Sequence, residues 1–151
     1  MATQWTAGTT SGQVLTAATL NTIGAAWESY TPTVKGGATT LTGTVLYAKW
    51  ARIQKTVFVQ VAFQSTGAGA ANGIISISYP SGLTPANLDV RTIGTFHILD
   101  SGTAWYIGSA SSTNPCQGLA YGGGNYMGSA TPAMTVASND VISMAICYEV
   151  A

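Results

Sequence analysis

Residues 44–65, TVLYAKWARIQKTVFVQVAFQS, decide the fold. From Val57 to Phe63 the odd positions are apolar, while the other face carries two glutamines, Gln60 and Gln64, together with Phe58 and Ala62. This period of two is typical of a strand with one buried face. A second strand precedes it, and the short link Gln54-Lys55 predicts a tight hairpin between the two. The stretch therefore predicts antiparallel strands at residues 44–53 and 56–65.

Short strands of the same kind follow along the rest of the chain, separated by Gly, Pro, Asn and Asp. They are predicted at residues 74–80, 91–99, 103–110, 117–121, 134–136 and 141–150. The last has the clearest apolar face, formed by Ile142, Met144, Ile146, Tyr148 and Val150. The sequence thus predicts an all-β fold, an antiparallel β-sandwich or jelly roll of about eight strands.

The stretch VLTAATLNTIGAAWESYTP, residues 14–32, predicts one helix in front of these strands. It starts at Thr16, a plausible N-cap, and Pro32 ends it because the residue before a proline prefers an extended conformation. Its apolar positions share one stripe: Ala17, Leu20, Ile23, Trp27 and Tyr30. Such a short helix is marginal alone, so this stripe must pack on its own β-domain, on sister subunits or on a host particle. We therefore divide the chain into an arm and helix, residues 1–30, and a β-sandwich domain, residues 31–151.

The composition predicts permanent partners. Only 7% of residues are charged, against a usual level of about 25%, and 46% are hydrophobic. Five basic and five acidic residues give a net charge of zero, which favours association over a free monomer. No basic cluster is present to neutralise phosphates, so nucleic acid is not an expected partner. Nor is a membrane, because there is no signal-peptide pattern and no run of about 18 apolar residues.

Catalytic motifs are not evident. His97, the only histidine, precedes Asp100 and Ser101, but a catalytic triad is defined by geometry and not by closeness in sequence. A zinc site would need several copies of His97 gathered on a symmetry axis, and the few carboxylates do not form a glycosidase pair. Asp100 and Asp140 are interpreted as turn formers that bond the local backbone. We expect no enzymatic activity, no metal and no cofactor.

The two cysteines, Cys116 and Cys147, make one disulfide possible. Two free thiols are the preferred interpretation, since a pair does not suggest a disulfide-stapled scaffold. Four aromatic residues near loops could stack on sugar rings and so bind glycan, although packing in the core or between subunits is favoured for them. They are Trp105, Tyr106, Tyr121 and Tyr126.

Several stretches resemble a recurrent kind of small tailed-bacteriophage virion protein, found as head decoration, head-fibre and short tail-fibre or minor tail proteins. They are W-x-x-Y-T-P-T at 27–33, L-T-G-T at 41–44, R-I-Q-K-T-V-F-V at 52–59, I-S-I-S-Y-P at 75–80, D-S-G-T-A-W-Y-I-G at 100–108 and N-D-V-I-S-M-A-I-C-Y-E at 139–149. The resemblance implies a β-sandwich, commonly trimeric, on the virion surface, with the N-terminal segment attached to the particle. No active-site residue comes with it.

The expected function is that of a homotrimeric capsid decoration (cement) protein or short head fibre, assembled in the host cytoplasm. Only residues 1–30 precede the β-domain, which favours a compact knob on a shell over a long fibre. Its partners would be copies of itself and the major capsid protein or another virion protein. The residues expected at these contacts are Trp5, Leu20, Ile23, Trp27 and Tyr30. The alternative is a receptor-binding tail-fibre or minor tail protein that recognises host surface glycan.

Overall fold

The computed structural model describes residues 26–67, 73–120, 125–129 and 133–151. Within these ranges the chain is all β and contains no helix, which confirms the predicted fold class. The ten strands are β1 (Glu28–Ser29), β2 (Val34–Gly36), β3 (Thr39–Thr40), β4 (Gly43–Ile53), β5 (Thr56–Ser65), β6 (Ile75–Ile77), β7 (Thr92–Asp100), β8 (Ala104–Ser111), β9 (Cys116–Ala120) and β10 (Val141–Glu149).

All ten strands belong to one antiparallel sheet with the order β1-β4-β5-β10-β7-β8-β9-β6-β2-β3. The sheet curls on itself, because the ring of Tyr148 in β10 meets the ring of Tyr79 just beyond β6, with centroids 5.1 Å apart. These two strands stand four places apart in the sheet, so only a curled sheet can bring their side chains into contact. The result is a half-barrel around one apolar core.

Residues 30–33 tie the two ends of the sheet together, since they link β1 at one edge to β2 near the other. The backbone N–H of Tyr30 donates to the carbonyl of Ala48 in β4 at 3.2 Å. Three residues later, the N–H of Thr33 donates to Oγ of Ser78, beyond β6, at 2.9 Å. We call residues 28–36 the closing strap, because their hydrogen bonds reach both sides of the curl.

The core follows the alternation that the sequence predicts. In β5 the inward side chains are Val57, Val59, Val61 and Phe63, and in β10 they are Ile142, Met144, Ile146 and Tyr148; all are buried. Strand register places Val61 beside Met144, and Met144 beside the fully buried Phe96 of β7. Burial of each such large side chain contributes about 1.5–3 kcal/mol, so these central strands dominate the stability of the fold.

The hairpin predicted at residues 44–65 is confirmed as β4, a two-residue turn and β5. Gln54 takes a positive φ of 55° in the turn, and the Arg52 side chain donates to its carbonyl. One feature was not predicted: the β4–β5 register shifts between Val45 and Tyr47, leaving Leu46 on the bulged strand as an exposed extra residue.

The predicted helix is wrong at its C-terminal end. Glu28 and Ser29 form β1 and pair with Trp50 and Lys49 of β4, so this part of the chain is extended. The spacing of the aromatics fits a helix, but the unpaired edge of β4 offers backbone hydrogen bonds that an extended segment satisfies. Residues 14–25 lie outside the described residues.

The predicted sandwich or jelly roll of about eight strands is also wrong, because the described chain forms ten strands in one curled sheet. The sequence missed β1, β2 and β3 because strands of two or three residues are too short to show alternation. Conversely, the strand predicted at residues 134–136 is not a regular strand. Met134 and Val136 are buried there, but only isolated bridges such as Gly128 to Ala133 connect this region.

Candidate interaction surface

The outward side of the central strands forms one broad surface. Because successive side chains of a strand point to opposite faces, register sets which of them are neighbours. One row runs from Tyr47 of β4 through Ala62, Ser143 and His97 to Ile107 of β8. We call the outward-pointing residues of β4, β5, β10, β7 and β8 the outer face.

A groove crosses the middle of the outer face. Its floor is made of small side chains, Ala62, Ser143 and Ala145, while Tyr47 and His97 stand at its sides. It is open to solvent and has a volume of about 400 Å³. Side chains stand roughly perpendicular to a sheet, so a patch of small residues between larger ones leaves such a trough.

A ridge borders the groove on β8. Trp105 and Ile107 point outward and are 64% and 57% exposed, the highest values among the large hydrophobic side chains described. The β7–β8 turn that presents them is held by a hydrogen bond of 2.9 Å from Thr103 N–H to the carbonyl of Asp100. Gly102 supplies the positive φ of 84° that this turn requires. A tight hairpin thus holds two apolar side chains in water.

Charge is nearly absent from the outer face. The outward positions of β5, β7 and β8 hold no Lys, Arg, Asp or Glu, and those of β4 and β10 add only Lys49 and Glu149 at the borders. The face mixes exposed apolar side chains with uncharged polar ones such as Gln60, Thr95 and Ser143, and depletion of charged residues is typical of the centre of an interface. This face was not predicted, although the outward positions of the predicted strands already held almost no charge.

The residues considered for catalysis are not brought together. His97 is half-buried at the side of the groove, whereas Asp100, three residues along the same strand, falls on the opposite face by alternation. The N–H of Ser101 donates to Oδ1 of Asp140 at 2.8 Å, and the N–H of Ala137 donates to Oδ2 at 2.7 Å. The Asp140 carboxylate therefore holds two turns, as a turn former should. Among the described residues, no group of three His, Cys, Asp or Glu could hold a metal ion.

The predicted attachment residues are only partly described. Trp5, Leu20 and Ile23 lie outside the described ranges. Trp27 is 44% exposed beside β1, whereas Tyr30 is half-buried against the core and its hydroxyl donates to the carbonyl of Ser78 at 3.4 Å. Burial raises the pKa of Tyr30 above its ordinary value. Of the two, Trp27 is the one open to a partner.

The four aromatics considered for glycan binding do not form one surface in the described chain. Trp105 lies on the ridge, but its neighbour Tyr106 points inward and packs against the core. Tyr126 is half-buried and bridges to Leu119, and Tyr121 lies outside the described residues. Adjacent residues of a strand face opposite sides, so Trp105 and Tyr106 cannot stack on one sugar together.

Both cysteines are free thiols, as the preferred interpretation expected. Cys116 is buried in the core, whereas Cys147 is exposed on the outer face beside Phe58. Burial raises the pKa of the Cys116 thiol to about 12, against a smaller opposing effect of its hydrogen bond with Tyr79. At neutral pH this thiol is protonated and has little nucleophilic character.

No family model, no curated protein and no solved structure matches this chain. No helix in the described ranges is long and apolar enough to cross a membrane.

Proposed function

We propose that this protein is a non-enzymatic structural protein of a tailed-phage virion, a homotrimeric capsid decoration or short head-fibre protein. The observation that carries the proposal is the outer face, a broad and almost uncharged sheet surface with two large apolar side chains held in water. Such a surface is costly in a free monomer but is normal for a chain whose partners cover it permanently. The resemblance of short stretches across most of residues 27–151 to virion surface proteins supports the same proposal.

Attachment would run through residues 1–25. The described chain starts at Ala26, beside the edge strand β1, and Trp27 is exposed there. Ala26 therefore lies next to β1, which is the terminal strand in the order of the described sheet. A protein that binds the assembled shell and not the free capsid subunit stabilises that shell by mass action.

The test compares full-length protein with a chain that lacks residues 1–25. This truncation keeps the closing strap, which begins at Glu28, and every other described strand. We expect the truncated chain to unfold at the same temperature as the full chain but to lose co-sedimentation with phage particles assembled without this protein. Equal binding by both chains would refute attachment through the N-terminal segment. Asp89→Asn, an exposed change outside residues 1–25, serves as the matched full-length control.

A receptor-binding tail protein is the second candidate, and the exposure of Trp105 favours it. A single outward indole can stack on a sugar ring. Glycan-array binding by the full chain, lost in Trp105→Ala and kept in Tyr106→Phe, would support this candidate. The control is matched, because Tyr106 is adjacent in sequence but points into the core.

A further inference from the structure

We infer that the outer face is the contact between copies of this chain, with the ridge of one copy packed into the groove of the next. The inference deepens the proposed homotrimer by assigning its contact face, and it rests on the proposed function only for the number of copies. Within the described chain, no side chain fills the groove and none covers the ridge. The ridge projects from the face and the groove is recessed into it, so their shapes are complementary.

The shapes fit each other. Trp105 and Ile107 project from β8, and the groove floor lies on β5 and β10. With strands about 4.8 Å apart, β8 stands roughly 10 Å from β10, so ridge and groove are separate features of one face. A groove of about 400 Å³ falls within the size range of pockets that accept a small molecule, so it has room for an indole ring.

The area is also of the right order. From β4 to β8 the face spans five strands, roughly 20 Å across at the usual strand spacing. From Phe58 to Gln64 it extends about 20 Å along the strands. Side-chain relief raises the accessible area above this flat footprint of roughly 400 Å². Ridge-into-groove contacts are heterologous and can close into a ring of three copies, in which the face of each copy is shared between two neighbours.

The charge distribution favours a second copy over other occupants. A strongly charged partner would leave its own charges desolvated on a face that offers no counter-charge between Lys49 and Glu149. A copy of the same face brings no such charge, while Gln60, Thr95 and Ser143 can exchange hydrogen bonds across the contact. The face is therefore suited to pair with itself.

The experiment measures the mass of the full-length protein by light scattering and sedimentation over a range of concentrations. Wild type should be oligomeric. Ile107→Lys on the ridge and Ala145→Lys on the groove floor should each raise the dissociation constant by roughly 30-fold or more, the size of a hot-spot loss. The matched control is Leu88→Lys, because Leu88 is 51% exposed but lies outside the outer face. It should stay oligomeric.

A second variant separates a lost contact from a lost fold. In Ile107→Lys combined with Ala145→Glu, the ridge lysine of one copy meets the groove glutamate of the next, and the oligomer should return. Thermal unfolding should be unchanged in every variant when it is measured on the monomer. A wild type that is monomeric at all concentrations, or lysine variants that remain oligomeric, would overturn the inference. A combined variant as dissociated as the single ones would overturn the ridge-into-groove pairing.

The outcome is independent of the attachment test. If the ridge variant stays oligomeric while the chain lacking residues 1–25 loses the particle, the assigned interface fails and the proposed function stands. If the ridge variant dissociates while the truncated chain still binds particles, the interface stands and the attachment proposal fails. A third outcome would also overturn the inference. The wild type would be monomeric, and its Cys147 would react with a thiol reagent only after residues 1–25 are removed. That result would mean that the chain's own N-terminal segment covers the outer face.

Discussion

Replacing Asp140 by alanine is expected to lower the free energy of unfolding by about 3 kcal/mol. Its side chain is 1% exposed and accepts two backbone hydrogen bonds, from Ser101 in the β7–β8 turn and from Ala137 in its own turn. Its carbonyl also accepts from the N–H of Ser65 at the end of β5, at 2.8 Å. The carboxylate thus joins two turns at the end of the sheet from which the ridge hairpin projects.

The magnitude follows from those two hydrogen bonds. A hydrogen bond to a charged acceptor contributes about 1.5–3 kcal/mol, and the lower value applies here because Ser101 and Ala137 lie in exposed turns where water can replace part of the loss. For a chain of 151 residues, this corresponds to a fall in melting temperature of roughly 6–12 °C.

Calorimetry and urea unfolding would measure the effect. Asp140→Asn should lose less than Asp140→Ala, because the amide keeps one acceptor oxygen and nearly the same shape. The control is Asp89→Ala, since Asp89 is exposed and such surface changes usually stay within about 0.5 kcal/mol. If Asp140→Ala unfolds at the same urea concentration as Asp89→Ala, the two hydrogen bonds do not stabilise the fold and the reasoning is wrong.

Two further predictions concern the core. Gly118→Ala should destabilise the protein by about 1–3 kcal/mol in urea unfolding, because its new Cβ would lie 2.6 Å from Cδ1 of Phe96. Gly67→Ala is the control and should not destabilise it, because a Cβ added at Gly67 would meet nothing within 4 Å. Stability should also fall as the pH rises from about 9 to about 12, since buried Cys116 keeps its proton in the folded state above the pH at which the unfolded thiol loses it. The free energy of unfolding of Cys116→Ala, measured in urea across that range, should depend less on pH than that of the wild type. An equal slope for the two proteins would contradict a raised pKa for Cys116.

The sequence was most informative where a strand is long enough to show its own pattern. The alternation of residues 56–65 and 141–149 identified both strands and their buried faces, and the Asp-Ser-Gly turn identified the β7–β8 hairpin. Strand order was beyond reach, because β10, the last strand, lies between β5 and β7 through pairings that no local pattern records. The groove was missed for the same reason, since its floor joins Ala62 to Ser143 and Ala145 from a distant part of the chain.

The closing strap shows what the W-x-x-Y-T-P-T stretch does in this molecule. Tyr30 bonds Ala48 on one side of the curl and Ser78 on the other. Pro32 is buried and holds Thr31 extended, and Thr33 completes the tie to Ser78. Residues 30–33 of the stretch therefore close the curled sheet, whereas Trp27 at its start stays exposed. A binding function must therefore be sought outside residues 30–33, in residues 1–25 and on the almost uncharged outer face, and each of these has its own decisive experiment.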